Sequence, residues 1–157
     1  MSVSAQQLDA VRWLKQSGSD LVAARQLRDG GSFAQSCFFS QQSAEKLFKG
    51  AIILLKGAIP RSHSVQDLSN TLRAEYAVPL DKTVKRLDNF YTVSRYPDAS
   101  PSEMSPFELY DVDDAQEAIH LVEQAMRVTL QWLGEQNLMP EGYSLAPYAK
   151  AETAPGF

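Results

Sequence analysis

The sequence predicts an all-α protein, an up-and-down four-helix bundle with one additional short helix. Three observations support this fold class. Apolar residues recur at helical spacing in long segments, no segment sustains an alternation with a period of two, and Gly or Pro residues separate the segments. A chain of 157 residues that is 44% hydrophobic can form one core and is short for two. We therefore expect a single helical domain.

Two long helices are predicted in the first third of the chain. The first, between about residues 4 and 28, follows the spacing of Leu8, Val11, Leu14, Leu21 and Leu27. Gly30 and Gly31 end it, and Ser32 is expected to cap the second helix. The apolar face of that helix comprises Phe33, Cys37, Phe38, Ala44, Leu47, Phe48, Ala51, Ile52 and Leu55.

The remaining helices are predicted from their starting signals and apolar spacing. Ser64, with Asp67 three residues later, opens a short helix in the manner of a capping box. Apolar positions predict another helix over residues 80–91, and the Pro- and Ser-rich residues 97–106 form a loop. The last helix is predicted from Asp111 to Trp132, with acidic residues at its positive end. We expect residues 1–136 to form the bundle and residues 137–157 an extended or disordered tail.

Charge and cysteine content restrict the functional classes. The net charge of −4 argues against nonspecific binding to a polyanion through the field of the whole protein. The single cysteine, Cys37, lies in an apolar helical pattern, which indicates a buried thiol and a cytoplasmic protein. The N-terminus lacks the pattern of a secretory signal, and no apolar run approaches the length that crosses a membrane.

The first candidate site lies on the second helix. Gln41, Glu45 and Lys49 are spaced by four and therefore share one helical face. An amide, a carboxylate and an ammonium group in one row suit a polar binding site. The alternative is that this row, with its neighbours Gln42 and Lys46, is the solvated side of an amphipathic helix.

The second candidate site is the segment Arg95-Tyr96-Pro97-Asp98, which follows the fourth predicted helix. In a bundle, the Arg95 guanidinium could reach the helix that carries Lys49 and complete a pocket for a phosphate or carboxylate. Its alternative role is a salt bridge to Asp98 or Glu45.

Each of the two histidines has a different expected role. His63 lies between two serines, and its imidazole could donate a proton, anchor a hydrogen bond or contribute to a helix cap. His120 lies within the last helix and is expected to be a packing or surface residue. Two isolated histidines without neighbouring cysteines do not suggest a zinc site, and we expect no cofactor. The sequence also lacks a Gly-rich phosphate loop and a nucleophile elbow.

Taken in order along a helical chain, these polar segments resemble the HEPN family (higher eukaryotes and prokaryotes nucleotide-binding). The match consists of the run Gln41-Gln42-x-Ala44-Glu45-Lys46-x-x-Lys49, then His63, then Arg95-Tyr96-Pro97-Asp98, and it spans roughly residues 4–133. The resemblance implies an up-and-down bundle, usually dimeric, that is thought to bind nucleotides and often acts with a minimal nucleotidyltransferase encoded by a neighbouring gene. Many members are ribonucleases, and some are toxins.

The sequence departs from the nuclease members of that family. In those members an Arg is followed one to two helical turns later by a His, whereas no His follows Arg95 at that distance. We therefore predict a binding module rather than an enzyme, with a nucleotide as ligand, bound by Gln41, Glu45, Lys49, His63, Arg95, Tyr96 and Asp98. The alternatives are a ribonuclease or toxin that uses His63 and Arg95 on RNA, and a purely structural subunit of a dimer or heteromer.

Overall fold

The computed structural model of the protein describes residues 4–91, 95–100 and 103–140. Every regular element within these ranges is helical, which confirms the predicted all-α class. The α-helices are α1 (Ala5–Asp29), α2 (Phe33–Lys56), α3 (Val65–Tyr76), α4 (Pro106–Leu109) and α5 (Val112–Glu135). A 3-10 helix spans Lys82–Phe90, and a short 3-10 turn spans Pro97–Ala99.

The three long helices α1, α2 and α5 pack on one another, and α3 and the 3-10 helix cover α2. Their shared core contains the fully buried side chains of Leu14, Leu21, Leu47, Phe48, Leu68, Leu72, Leu87, Ile119, Met126 and Leu133. No helix in the described ranges is long and apolar enough to cross a bilayer.

The helix ends follow the sequence signals, with one difference. The hydroxyl of Ser64 accepts a hydrogen bond from the Asp67 amide at the start of α3, and Asp111 forms a reciprocal capping box with Asp114 at the start of α5. Ser32 precedes α2 as predicted, but its side chain makes no capping bond. α2 ends at Gly57, whose φ of 77° is a left-handed conformation that favours glycine.

The fourth predicted helix is a 3-10 helix rather than an α-helix. Asp81 caps it, since its Oδ1 accepts bonds of 2.8 Å from both the amide and the hydroxyl of Thr83. These bonds lower the pKa of Asp81. Side chains three residues apart align on a 3-10 helix, so Val84, Leu87 and Phe90 form one buried row.

Two further predictions concern Cys37 and the chain end. Cys37 is fully buried, as predicted, and burial chiefly raises the pKa of its thiol to about 12, with smaller contributions from Asp114, Asp111 and Glu117. Leu138 and Met139, beyond the end of α5, are partly buried against the core. Most of the predicted tail, residues 141–157, lies outside the described residues.

Candidate functional site

The row of polar side chains on α2 faces inward. Gln41 is completely buried, and Glu45 and Lys49 are each 4% exposed. The alternative that these residues form a solvated helix face is therefore wrong. Their polar groups are satisfied by one another and by the segment that precedes α3, which explains how the core tolerates them.

Glu45 is the central residue of this row. One of its carboxylate oxygens lies 3.2 Å from Nδ1 of His63, and the other lies 3.6 Å from Nζ of Lys49. The ammonium group of Lys49 also lies 5.7 Å from the ring centroid of Trp13. A buried carboxylate needs such partners, because an unpaired charge in the interior is costly.

His63 connects this buried row to the surface. Its backbone carbonyl accepts a 3.3 Å bond from Nε2 of Gln41, whereas 64% of its side chain is exposed. An ionised carboxylate can only accept, so the contact with Glu45 places the proton on Nδ1 and leaves Nε2 to meet a ligand. The imidazole stacks on the ring of Tyr91, with centroids 6.0 Å apart and an interplanar angle of 15°.

Asp88 fixes the backbone that follows His63. Its carboxylate accepts hydrogen bonds from the amides of Val65 and Gln66, at 2.7 and 2.9 Å, and from the hydroxyl of Ser64 at 3.1 Å. This carboxylate therefore ties the 3-10 helix to the N-terminus of α3 and compensates its positive end.

Arg95 contacts the same tyrosine. Its Nε donates a 2.9 Å bond to the carbonyl of Tyr91, and its guanidinium carbon lies 4.5 Å, 4.8 Å and 4.6 Å from the ring centroids of Phe38, Tyr91 and Tyr96. Within the described ranges it forms no salt bridge with Asp98 or Glu45, so the alternative role of a structural ion pair is wrong there. The aromatic faces hold the cation without neutralising it.

We define the Tyr91 cluster as Glu45, His63, Tyr91, Arg95 and Tyr96. His63 and Arg95, 32 positions apart in the sequence, both contact the Tyr91 ring. The cluster combines an imidazole, a charged guanidinium and the aromatic ring of Tyr96, a residue that is 47% exposed. Such a set can bind an anion attached to a planar ring.

The other predicted site residues lie at different distances from this cluster. Gln41 and Lys49 are buried behind it and support it through His63 and Glu45. Asp98 lies in the exposed turn Pro97–Ala99 and makes no hydrogen bond or ion pair to the cluster within the described residues. Lys46 forms an ion pair with Asp20, so its charge is already compensated.

Three residues in or beside the Tyr91 cluster were not predicted as site residues: Phe38, Tyr91 and Asp88. Both aromatic residues were assigned to apolar helix faces, where an aromatic ring and a core residue give the same sequence signal. Asp88 carries no sequence signal for its role, because the amides that it accepts from lie 22 and 23 positions away in the sequence.

The described part of the chain contains no group of three or more His, Cys, Asp or Glu side chains arranged to hold a metal ion.

Known proteins resemble this chain over most of its length. The family model described as the HEPN domain matches residues 10–132. The protein named "Putative toxin MJ1304" from Methanocaldococcus jannaschii is 27% identical over 134 residues, which are 79% of this chain and 88% of that protein.

Two crystal structures share the fold. TT1696 from Thermus thermophilus has a TM-score of 0.69 and 30% identity, and the alignment covers 78% of this chain and 96% of that one. ST0689, described as an archaeal HEPN homologue, has a TM-score of 0.59 and 34% identity. That alignment covers 81% of this chain and 96% of ST0689.

Proposed function

Because the chain belongs to the HEPN domain family, we propose that it is a HEPN module that binds a nucleotide through the Tyr91 cluster. One observation supports this site most strongly. The Arg95 guanidinium is held among three aromatic rings and a backbone carbonyl, next to an exposed imidazole and without a carboxylate partner within the described residues. A positioned and unneutralised guanidinium is suited to phosphate.

The residues that face the ligand and the buried residues behind them have different roles in this proposal. Arg95 binds a phosphate, and Nε2 of His63, which carries no proton when Nδ1 donates to Glu45, accepts a hydrogen bond from a sugar hydroxyl. The exposed face of Tyr96 offers a surface on which a base can stack. Gln41, Glu45 and Lys49 are positioning residues, because they are buried and act on the ligand through His63.

We also propose that the chain works with a minimal nucleotidyltransferase and forms a homodimer. Membership of the HEPN family supports this proposal, and a relative whose name contains the word toxin is consistent with a protein that has a controlling partner. Light scattering of the purified chain alone, and after coexpression with the product of a neighbouring nucleotidyltransferase gene, measures both assemblies.

A thermal-shift screen tests the nucleotide site. The ligands are ATP, GTP, their diphosphates and a short RNA, and the proteins are the wild type, Arg95→Ala and the control Arg61→Ala, which removes an exposed arginine outside the Tyr91 cluster. Ligand at about 100 times its Kd stabilises the folded state by about 2.7 kcal/mol, so a shift is expected for the wild type and the control. The shift should disappear in Arg95→Ala. If no ligand changes the melting temperature of the wild type, the proposal is wrong.

A ribonuclease is the second candidate, and one observation favours it. His63 and Arg95 contact the same ring, and Glu45 orients the imidazole, so a proton-transfer group and a phosphate clamp lie close together without the usual sequence spacing. RNA cleavage that is lost in His63→Ala and retained in His120→Ala would establish this activity. If the protein binds a nucleotide but does not cleave RNA, the ribonuclease is excluded and the nucleotide-binding module is supported.

A further inference from the structure

A basic groove lies between α3 and the 3-10 helix. Its volume is about 570 Å³, and its lining includes Gln66, Asn70 and Arg73 from α3 and Lys82 and Lys85 from the 3-10 helix. Gln66, Asn70 and Arg73 are spaced by four and three, so they share one face of an α-helix. Lys82 and Lys85 are spaced by three and therefore align on a 3-10 helix. The two helices thus place three cations and two amides along one groove.

The cations of this groove lack carboxylate partners. No acidic side chain lines it, and within the described residues Arg73, Lys82 and Lys85 form no salt bridge. Elsewhere many cations are paired: Lys46 with Asp20, Lys56 with Glu75, and Arg86 with Glu117. Asp81 is close enough for Arg73 to help lower its pKa, but its carboxylate is occupied mainly by Thr83. The groove is therefore a positively charged region on a protein whose net charge is −4.

The local backbone disfavours a phosphate ligand in the groove. The usual phosphate cradle is the free amides at a helix N-terminus, and α3 begins beside the groove. Asp88 already accepts from the amides of Val65 and Gln66, and Ser64 accepts from the amide of Asp67. The donors that remain are the side chains of the groove itself, which suit carboxylates spread along a chain.

We propose that this groove is a docking surface for an acidic helix of a partner protein. On a 3-10 helix, Lys82 and Lys85 are about 6 Å apart along the axis, since each residue rises about 2.0 Å. Carboxylates four residues apart on an α-helix are also separated by about 6 Å along its axis. The amides of Gln66 and Asn70 can both donate to and accept from polar groups of such a partner.

Fluorescence anisotropy with a labelled helical peptide that repeats Glu-Ala-Ala-Ala tests this surface. The wild-type protein should bind it, added salt should weaken binding, and the peptide with Gln in place of Glu should not bind. Lys82→Glu/Lys85→Glu should weaken binding about tenfold or more. Arg61→Glu/Arg127→Glu, an equal change in net charge at exposed residues that do not line the groove, should retain affinity. Arg73→Gln, which introduces no negative charge, should also weaken binding.

Three results would overturn the proposal. The first is wild-type affinity in Lys82→Glu/Lys85→Glu. The second is an equal loss in both charge-reversed variants, which would indicate attraction to net charge alone. The third is displacement of the peptide by inorganic tripolyphosphate or a short RNA at lower concentration than by unlabelled peptide, since the groove would then be a phosphate site. Nucleotide binding by the Tyr91 cluster, measured separately with Arg95→Ala, is independent of each result.

Discussion

Glu45 links the interior of α2 to the exposed ring of His63. Its carboxylate divides its two oxygens between an imidazole and a buried ammonium group, and all three side chains are held in one orientation. A histidine oriented by a buried carboxylate presents its second nitrogen to solvent in a fixed direction. At the residue scale, buried side chains of α2 therefore orient the exposed side chain of the candidate site.

Only part of this arrangement could be predicted from the sequence. The spacing of Gln41, Glu45 and Lys49 shows that they share a helix face, because helix geometry alone sets that relation. Their burial could not be predicted, since polar residues at this spacing more often face solvent. The partner of Glu45 lies 18 positions away at His63, and only the path of the chain between α2 and α3 brings the two together.

Cys37 provides a prediction for the dependence of stability on pH. Its thiol has a pKa of about 12 in the folded protein, above the ordinary value of 9.0, mainly because it is buried. The unfolded chain therefore loses this proton first as the pH rises, so the contribution of the thiol to stability is complete below pH 9 and declines between pH 9 and 12. Within this window, each rise of one pH unit should lower the free energy of unfolding by about 1.4 kcal/mol.

Urea unfolding at pH 8, 9 and 10 measures this effect. The free energy of unfolding should fall more steeply with pH for the wild type than for Cys37→Ala, whose side chain does not titrate. The comparison removes the contributions of other groups that titrate at high pH. Parallel slopes for the two proteins would show that Cys37 does not titrate from a buried position.

At the scale of elements, apolar spacing predicted where helices occur better than which kind of helix forms. The bounds of α1, α2 and α5 fall close to those expected, because their apolar stripes are long and their ends carry glycine or acidic caps. The segment over Lys82–Phe90 is a 3-10 helix, and the period of three in Val84, Leu87 and Phe90 was the signal for it. Three positions spaced by three also fall within about 120° of one face of an α-helix, so this spacing does not separate the two kinds of helix.

The close contact of α1 with α2 depends on Gly50. A Cβ at this position would lie 2.8 Å from Cδ2 of Leu14 and 3.2 Å from the carbonyl oxygen of Ala10. The hydroxyls of Ser17 and Ser43 form reciprocal bonds of 2.7 Å to the backbone carbonyls of the opposite helix in the same interface. Small residues thus allow the two backbones to approach closely.

Gly50→Ala should destabilise the fold by about 1–2 kcal/mol. Overpacking a tight core costs about 1–3 kcal/mol, and the better helix propensity of alanine recovers about 1 kcal/mol or less. The matched control is Gly134→Ala in α5, where a Cβ meets nothing within 4 Å and the same change should stabilise the protein. Thermal unfolding of both variants measures the difference. A Gly50→Ala protein as stable as Gly134→Ala would show that the helices are not closely packed at this point.

At the scale of the whole molecule, charge is distributed unevenly. The net charge is −4, and Lys46 and Lys49, two cations of the helix that carries the candidate site, are paired with Asp20 and Glu45. In the proposed site, the positive charge that would attract a nucleotide is therefore that of Arg95, which the aromatic rings leave charged. The composition could not show this, because Lys46 on α2 meets Asp20 on α1 only in the folded chain, and the pair of Lys49 with Glu45 within α2 is buried only there.

The two histidines of the chain allow a direct test of whether His63 and Arg95 form one ligand site. His63 lies in the Tyr91 cluster, and His120 is exposed on α5 outside it. We would follow the ring resonances of both by NMR during titration with the nucleotide that gives the largest thermal shift. The resonances of His63 should move in the wild type and stay in place in Arg95→Ala, whereas those of His120 should not move in either protein. Unchanged His63 resonances at saturating nucleotide, or equal movement of both histidines, would contradict the proposed site.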